Sequence, residues 1–212
     1  MLRSYFLTAW RNILRNRIFS IINIAGLAIG MTVVFHIYRF VSAEQSYDTF
    51  YADAKNIFRV PLAYMDNAMV VRSSAANHPA VGPMLKQDFP EIEQFTRLAK
   101  TEVGSPSLAM SYTSSKGDIT VFNETNVFYA DEAFFSVFTF SFSEGNPKTS
   151  LERPQSIVLS RPMARKYFGA EPGMGKSIRL NKMDYIVTGV LNDMPENTHL
   201  KFDAIASMSS VE

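Results

Sequence analysis

Residues 18–38 read IFSIINIAGLAIGMTVVFHIY, with no Asp, Glu, Lys or Arg, between Arg17 and Arg39. These 21 residues, at helical rise, span roughly 30 Å, the thickness of a bilayer hydrocarbon core. The stretch divides the chain into a head (1–17), a transmembrane helix (18–40) and a mixed region (44–212). Arg3, Arg11, Arg15 and Arg17 precede the span, and Glu44, Asp48 and Asp53 follow it. Basic flanks resist translocation, so the helix is expected with its N-terminus in the cytoplasm and the rest of the chain outside. Val41-Ser42-Ala43 resembles a signal cleavage site, but the apolar run exceeds the usual length of about 7–15 residues and carries Asn23 and His36. A retained span is the better reading.

Within the span, Asn23, Gly26 and Gly30 share one helix face. Small residues let another helix approach and an amide bonds across the contact, so these three are the candidate helix-packing residues, although glycine is common in membrane helices generally. His36 lies within a turn of the outer interface, where hydration is expected. Before the span, Leu2, Phe6, Ala9, Trp10, Ile13 and Leu14 recur at spacings of three and four. The pattern predicts an amphipathic helix in the cytoplasmic headgroup layer, with Arg3, Trp10, Arg11, Arg15 and Arg17 at the membrane interface and lipid as partner.

Composition narrows the rest. The chain is 47% hydrophobic and 19% charged, with 17 Phe, which excludes a disordered tail. The net charge of +1 includes four arginines in the head, leaving about −3 beyond it and no basic surface for nucleic acid. Absence of cysteine removes disulfides, thiolate chemistry and Cys-type zinc sites.

Beyond the span, Asn56 to Met65 and Met69 to Ser74 read as strands, Pro79 to Asp88 as a helix stopped by Pro90, and Ile92 to Ala99 as a half-buried strand. Leu108 to Thr113, Ile119 to Asn123 and Thr125 to Ala130 read as short strands of a β-rich insertion at about 101–131. Asp131 is expected to cap a helix through Phe138, with Phe138, Phe140 and Phe142 alternating after it as core. Ser156 to Leu159 is an apolar strand, and Ser160 caps a helix with Pro162 in its first turn and Gly169 at its end. Ser177 to Leu180 and Asp184 to Leu191 form a hairpin. Together these predict an α+β domain with split β-α-β character.

Several motifs fail on their context. Gly173-Met174-Gly175-Lys176-Ser177 resembles the end of a phosphate-binding loop, but Ala170 replaces the required glycine and a strand follows, so it reads as a turn. His36, His78 and His199 are too scattered to be metal ligands. Glu91 with Glu93, and Asp131 with Glu132, read as solvated faces or caps. No Gly-x-Ser-x-Gly elbow is present. No catalytic, cofactor-binding or metal residue is therefore assigned, and no cofactor is expected.

Ala9-Trp10-Arg11-Asn12-Ile13-Leu14-Arg15-Asn16, Phe19-Ser20 and Ile22 to Gly30 resemble the start of MacB/FtsX-like ABC transporter permeases. Matching pieces continue in order: Tyr47-Asp48, Ile57 to Val60, Phe89 to Ile92, Phe134-Phe135, Gly145-Asn146-Pro147, Ala164 to Gly169, Gly175-Lys176, Val187 to Val190 and His199 to Asp203. The resemblance implies an inner-membrane permease subunit whose span precedes a porter-like periplasmic core domain with a β-rich inserted subdomain. It implies a cytoplasmic ABC ATPase subunit as partner, a second permease copy, a possible periplasmic partner protein, and no covalent chemistry. Efflux, lipoprotein handling and cell-wall signalling are the roles it suggests. A chain of this kind is expected to continue past residue 212 into further spans. The rival expectation is a membrane-anchored ligand sensor, which would continue into a cytoplasmic signalling domain.

Overall fold

Hydrogen bonding inside a helix lets an apolar segment satisfy its backbone without water, and the N-terminal stretch does this twice. The computed structural model describes residues 2–67, 69–100 and 108–211, and the chain divides into two units, Met1–Tyr47 and Asp48–Glu212. In the first unit α1 spans Leu2–Arg15 and α2 spans Arg17–Gln45. They are interrupted at Asn16, whose amide donates to Asn12 Oδ1 at 2.9 Å, while Arg17 Nε donates to the Leu14 carbonyl at 3.1 Å. No residue of α2 is buried. The helix runs past the expected end at residue 40, because Val41 to Gln45 contains no Gly or Pro. It stops at Ser46, whose N–H reaches the Ala43 carbonyl at 3.1 Å.

The second unit opens with a ribbon of β1 (Leu62–Asp66) and β2 (Met69–Ser74), then α3 (Val81–Asp88). Next come β3 (Leu98–Lys100), β4 (Leu108–Thr113), β5 (Ile119–Glu124), β6 (Val127–Ala130), α4 (Phe134–Val137) and β7 (Phe142–Gly145). The chain continues through β8 (Ser156–Leu159), α5 (Arg161–Phe168), β9 (Ser177–Leu180), β10 (Met183–Leu191) and β11 (Ala204–Ser207).

Nine strands form one sheet in the order β3-β6-β11-β8-β10-β9-β4-β5, with β7 also on β10. β8 and β10 are parallel neighbours joined through α5, and β6 and β11 are the other parallel pair. Every residue of β8 and of β11 is buried, as strands covered on both faces must be. On one face Ile157, Leu159, Ala204 and Ala206 pack with Met163, Tyr167 and Phe168 of α5. On the other, Val158 and Ile205 pack with Phe134, Phe135, Phe140, Tyr51 and Phe202. The alternation of β8 and β11 thus gives each layer its own core.

The fold is mixed α+β behind an N-terminal apolar helix. Several expectations shift in detail. Of Asn56 to Met65, only the last part pairs, because residues 54–56 form a 3-10 turn. Of Ile92 to Ala99, only the end pairs, as β3 on β6. Asp131 caps nothing: α4 starts after Ala133, and the Asp131 carboxylate holds Arg97. Phe138 and Phe140 lie outside any strand yet pack in the core. The strands of the expected insertion join the large sheet, β4 and β5 through β9 and β6 beside β11. Residues 101–107, where that insertion begins, and the Leu2 side chain of the amphipathic pattern lie outside the described residues.

Candidate functional site

Asn23, Gly26 and Gly30 lie exposed along α2. A Cβ placed on Gly26 or Gly30 meets nothing within 4 Å among the described residues. Trp10, Phe6 and Tyr5 are exposed on α1, as are Arg3, Arg11, Arg15 and, at the start of α2, Arg17.

In the second unit a polar cluster gathers around Asp48. Its backbone adopts a left-handed φ of 55°, which Asp tolerates better than most residues. Its N–H donates to the Asn197 carbonyl at 3.0 Å. Oδ1 accepts from Thr198 Oγ1 at 2.7 Å and from the His199 N–H at 3.2 Å, and Oδ2 accepts from His199 Nδ1 at 2.7 Å. The Thr198 hydroxyl is buried, pairs with the Tyr51 hydroxyl at 3.1 Å, and accepts from the Leu200 N–H at 3.2 Å. Burial alone would raise the Asp48 pKa, but the bonds from Thr198 and His199 together outweigh it and hold the carboxyl below 3.8. Burial, aided by the Asp48 charge, pushes the Tyr51 phenol up to about 12.

This cluster was not legible as a site, because its two halves stand 151 residues apart. The available signal was that Tyr47-Asp48 and His199 to Asp203 both belong to the pieces that carry the family resemblance. His199, set aside as a metal ligand, instead holds a carboxylate. Among the described residues no group of three His, Cys, Asp or Glu could hold a metal ion.

The phosphate-loop lookalike has a different occupant. The N–H groups of Gly173 and Met174 donate to Glu144 Oε2 at 3.1 and 2.9 Å, so the anion in this turn is the chain's own carboxylate. Lys176 pairs with Glu171 and lies over the Phe168 ring at 4.8 Å, and β9 follows directly. Glu124, nearly buried, accepts from Lys166 at 2.7 Å and from the Tyr167 hydroxyl at 2.8 Å. Burial, with the bond to Glu124 and its charge, pushes the Tyr167 phenol up, so this phenol stays protonated and works as a brace between α5 and β5.

A family model described as the MacB-like periplasmic core domain matches residues 20–212. Among solved structures, a domain of a putative permease protein from Porphyromonas gingivalis matches with 20% identity and a TM-score of 0.47, over 61% of this chain and 52% of that one. The periplasmic region of MacB from Actinobacillus actinomycetemcomitans matches with 20% identity and a TM-score of 0.45, over 61% and 53%. The extracellular domain of the noncanonic ABC-type transporter YknZ from Gram-positive bacteria matches with 15% identity and a TM-score of 0.40, over 63% and 66%. The chain spans about half the length of the first two. Among curated proteins nothing matches.

Proposed function

The chain belongs to the MacB-like periplasmic core domain family, and from that premise we propose that it is part of a permease subunit of an ABC transporter. The observation that carries the reading is that the match begins within the apolar helix and runs through the whole second unit, joining span and domain in one family pattern. In this reading α2 crosses the inner membrane with its N-terminus in the cytoplasm. The arginines and Trp10 of the head hold α1 to the cytoplasmic headgroups. The second unit lies in the periplasm, where it contacts substrate or a partner protein.

The work of such a subunit is mechanical. A cytoplasmic ABC ATPase subunit hydrolyses ATP, its cycle moves the spans, and the periplasmic domain changes conformation for efflux, lipoprotein handling or cell-wall signalling. Asn23, Gly26 and Gly30 give α2 a face for a neighbouring helix, in the same subunit or in a second permease copy. The subunit itself performs no covalent chemistry.

The test is co-purification of the full-length protein in detergent with an ATPase encoded beside its gene, followed by ATP hydrolysis with and without the permease. A stable complex with altered hydrolysis is expected. No complex, together with specific binding of a small ligand to residues 44 onward, would replace this reading with that of an anchored sensor.

A further inference from the structure

No Asp or Glu precedes Glu44, so the arginines of α1 meet no acid within the first 43 residues. The helix also sorts its side chains. At 3.6 residues per turn, Phe6, Trp10, Ile13 and Leu14 fall within an arc of roughly 100°, while Arg11 and Arg15 fall on the far side. The four apolar side chains stay between 41% and 70% exposed, so the rest of the first unit does not cover them. Thr8 Oγ1 donates to the Ser4 carbonyl at 2.9 Å, and Asn12 Oδ1 accepts from Asn16 at 2.9 Å, so these polar groups are engaged within the chain. Arg3 falls inside the apolar arc at the first turn, and Arg17 turns its Nε back to the Leu14 carbonyl at 3.1 Å. Arg11 and Arg15 are therefore the charged donors of the polar side. Four positions apart, they have Cβ atoms about 6 Å from one another, close enough to meet the phosphates of one headgroup or of two neighbours.

We propose that Arg11 and Arg15 bind the phosphates of anionic phospholipids, and that α1 seats on the membrane only where such lipids are present, while α2 stays inserted in any bilayer. A helix of 14 residues is marginal in water on its own, so α1 depends on the surface it rests on. The occupant fits by charge and by layering. An apolar arc opposite an arginine pair matches the boundary where acyl chains meet anionic headgroups. The inference rests on the reading of α2 as a span, and adds a lipid requirement that the apolar arc alone does not impose.

Trp10 is the single tryptophan of the chain, so its emission reports on α1 alone. The whole chain is held in nanodiscs of phosphatidylcholine with rising fractions of phosphatidylglycerol, and emission wavelength and acrylamide quenching are read. Trp10 is expected to be accessible in phosphatidylcholine, and to become blue-shifted and protected as phosphatidylglycerol rises. Added salt should weaken the response. Each arginine near an anionic surface is worth about fivefold in binding, so Arg11→Gln combined with Arg15→Gln should weaken seating roughly 25-fold and move the midpoint to higher phosphatidylglycerol. Arg11→Lys combined with Arg15→Lys should keep most of the response, and Lys116→Gln, between β4 and β5, should keep all of it. Protection of Trp10 in phosphatidylcholine alone overturns the inference, since the apolar arc then suffices. So does accessibility at every composition, which would assign α1 to a protein partner, and so does an unchanged midpoint in the double glutamine variant. A chain that fails to enter nanodiscs overturns the span and this inference with it, a result told apart because no Trp10 emission then travels with the discs on gel filtration.

Discussion

Asp48 makes the chain's acid response predictable at one carboxyl. A carboxyl whose folded pKa lies below its unfolded value stabilises the fold above that unfolded value, and the stabilisation fades as pH falls through the folded pKa. With 3.8 as the unfolded value, the contribution of Asp48 is complete at neutral pH and disappears in strong acid. Thermal unfolding of the native chain and of Asp48→Asn should therefore differ at neutral pH, and the difference should shrink as pH falls below 3.8. A gap that persists in acid would assign the difference to packing. Arg97 offers a second residue-scale test. Its Nε and Nη2 reach both oxygens of Asp131, the closest contact being 2.6 Å, and the Asp131 side chain is only 12% exposed. Arg97→Ala leaves that carboxylate short of its partner and should cost about 2 kcal/mol in denaturant unfolding, with exchange rising first in neighbouring β3. Neither pairing was readable from sequence, since a charge beside an apolar run looks the same whether its partner is solvent or a residue on a distant strand.

The elements most legible in advance are those whose signals are local. Ser160 accepts from the Met163 N–H at 3.4 Å, Pro162 sits in the first turn, and Gly169 ends α5 at φ 66°, all as read from neighbouring residues. Ser160→Ala should cost about 1 kcal/mol, measured by urea unfolding, while the fold persists. The β9–β10 hairpin was equally local, with Asn181 and Lys182 at φ 47° and 68° supplying its turn. Of Ile92 to Ala99 only Leu98 and Ala99 pair with β6, since apolar alternation says nothing about hydrogen bonding. Gly145 shows what pattern cannot reveal. It adopts φ 92° where β7 meets β10, and a Cβ there would collide with the Thr188 carbonyl oxygen. Gly145→Ala combines a disfavoured φ with a backbone clash, and should lower stability by about 3 kcal/mol or more or prevent soluble expression.

Across the whole molecule, the division at Tyr47 and Asp48 separates an exposed apolar helix from a unit with its own core. If α2 anchors this part of the protein, residues 17–212 expressed alone should remain in membranes after carbonate extraction, while residues 46–212 expressed alone should be released. Retention of the second would move the anchor into the remaining domain. The mixed α+β class followed from the alternation of strands and helices, but the strand order did not. Pairing β3 with β6, or β11 with both β6 and β8, depends on contacts between segments whose local sequences carry no address for one another. The place of β11 also has a consequence for biosynthesis. The strand that joins β6 to β8 is synthesised after both, so a growing chain carries two partial sheets with open inner edges until Ala204–Ser207 emerges. Unpaired edges recruit foreign strands. Slow translation or export between residues 160 and 204 would prolong that interval, and ribosome-stalled chains ending before residue 204 should be more readily digested by protease and bound by chaperones than chains carrying a linker beyond residue 212.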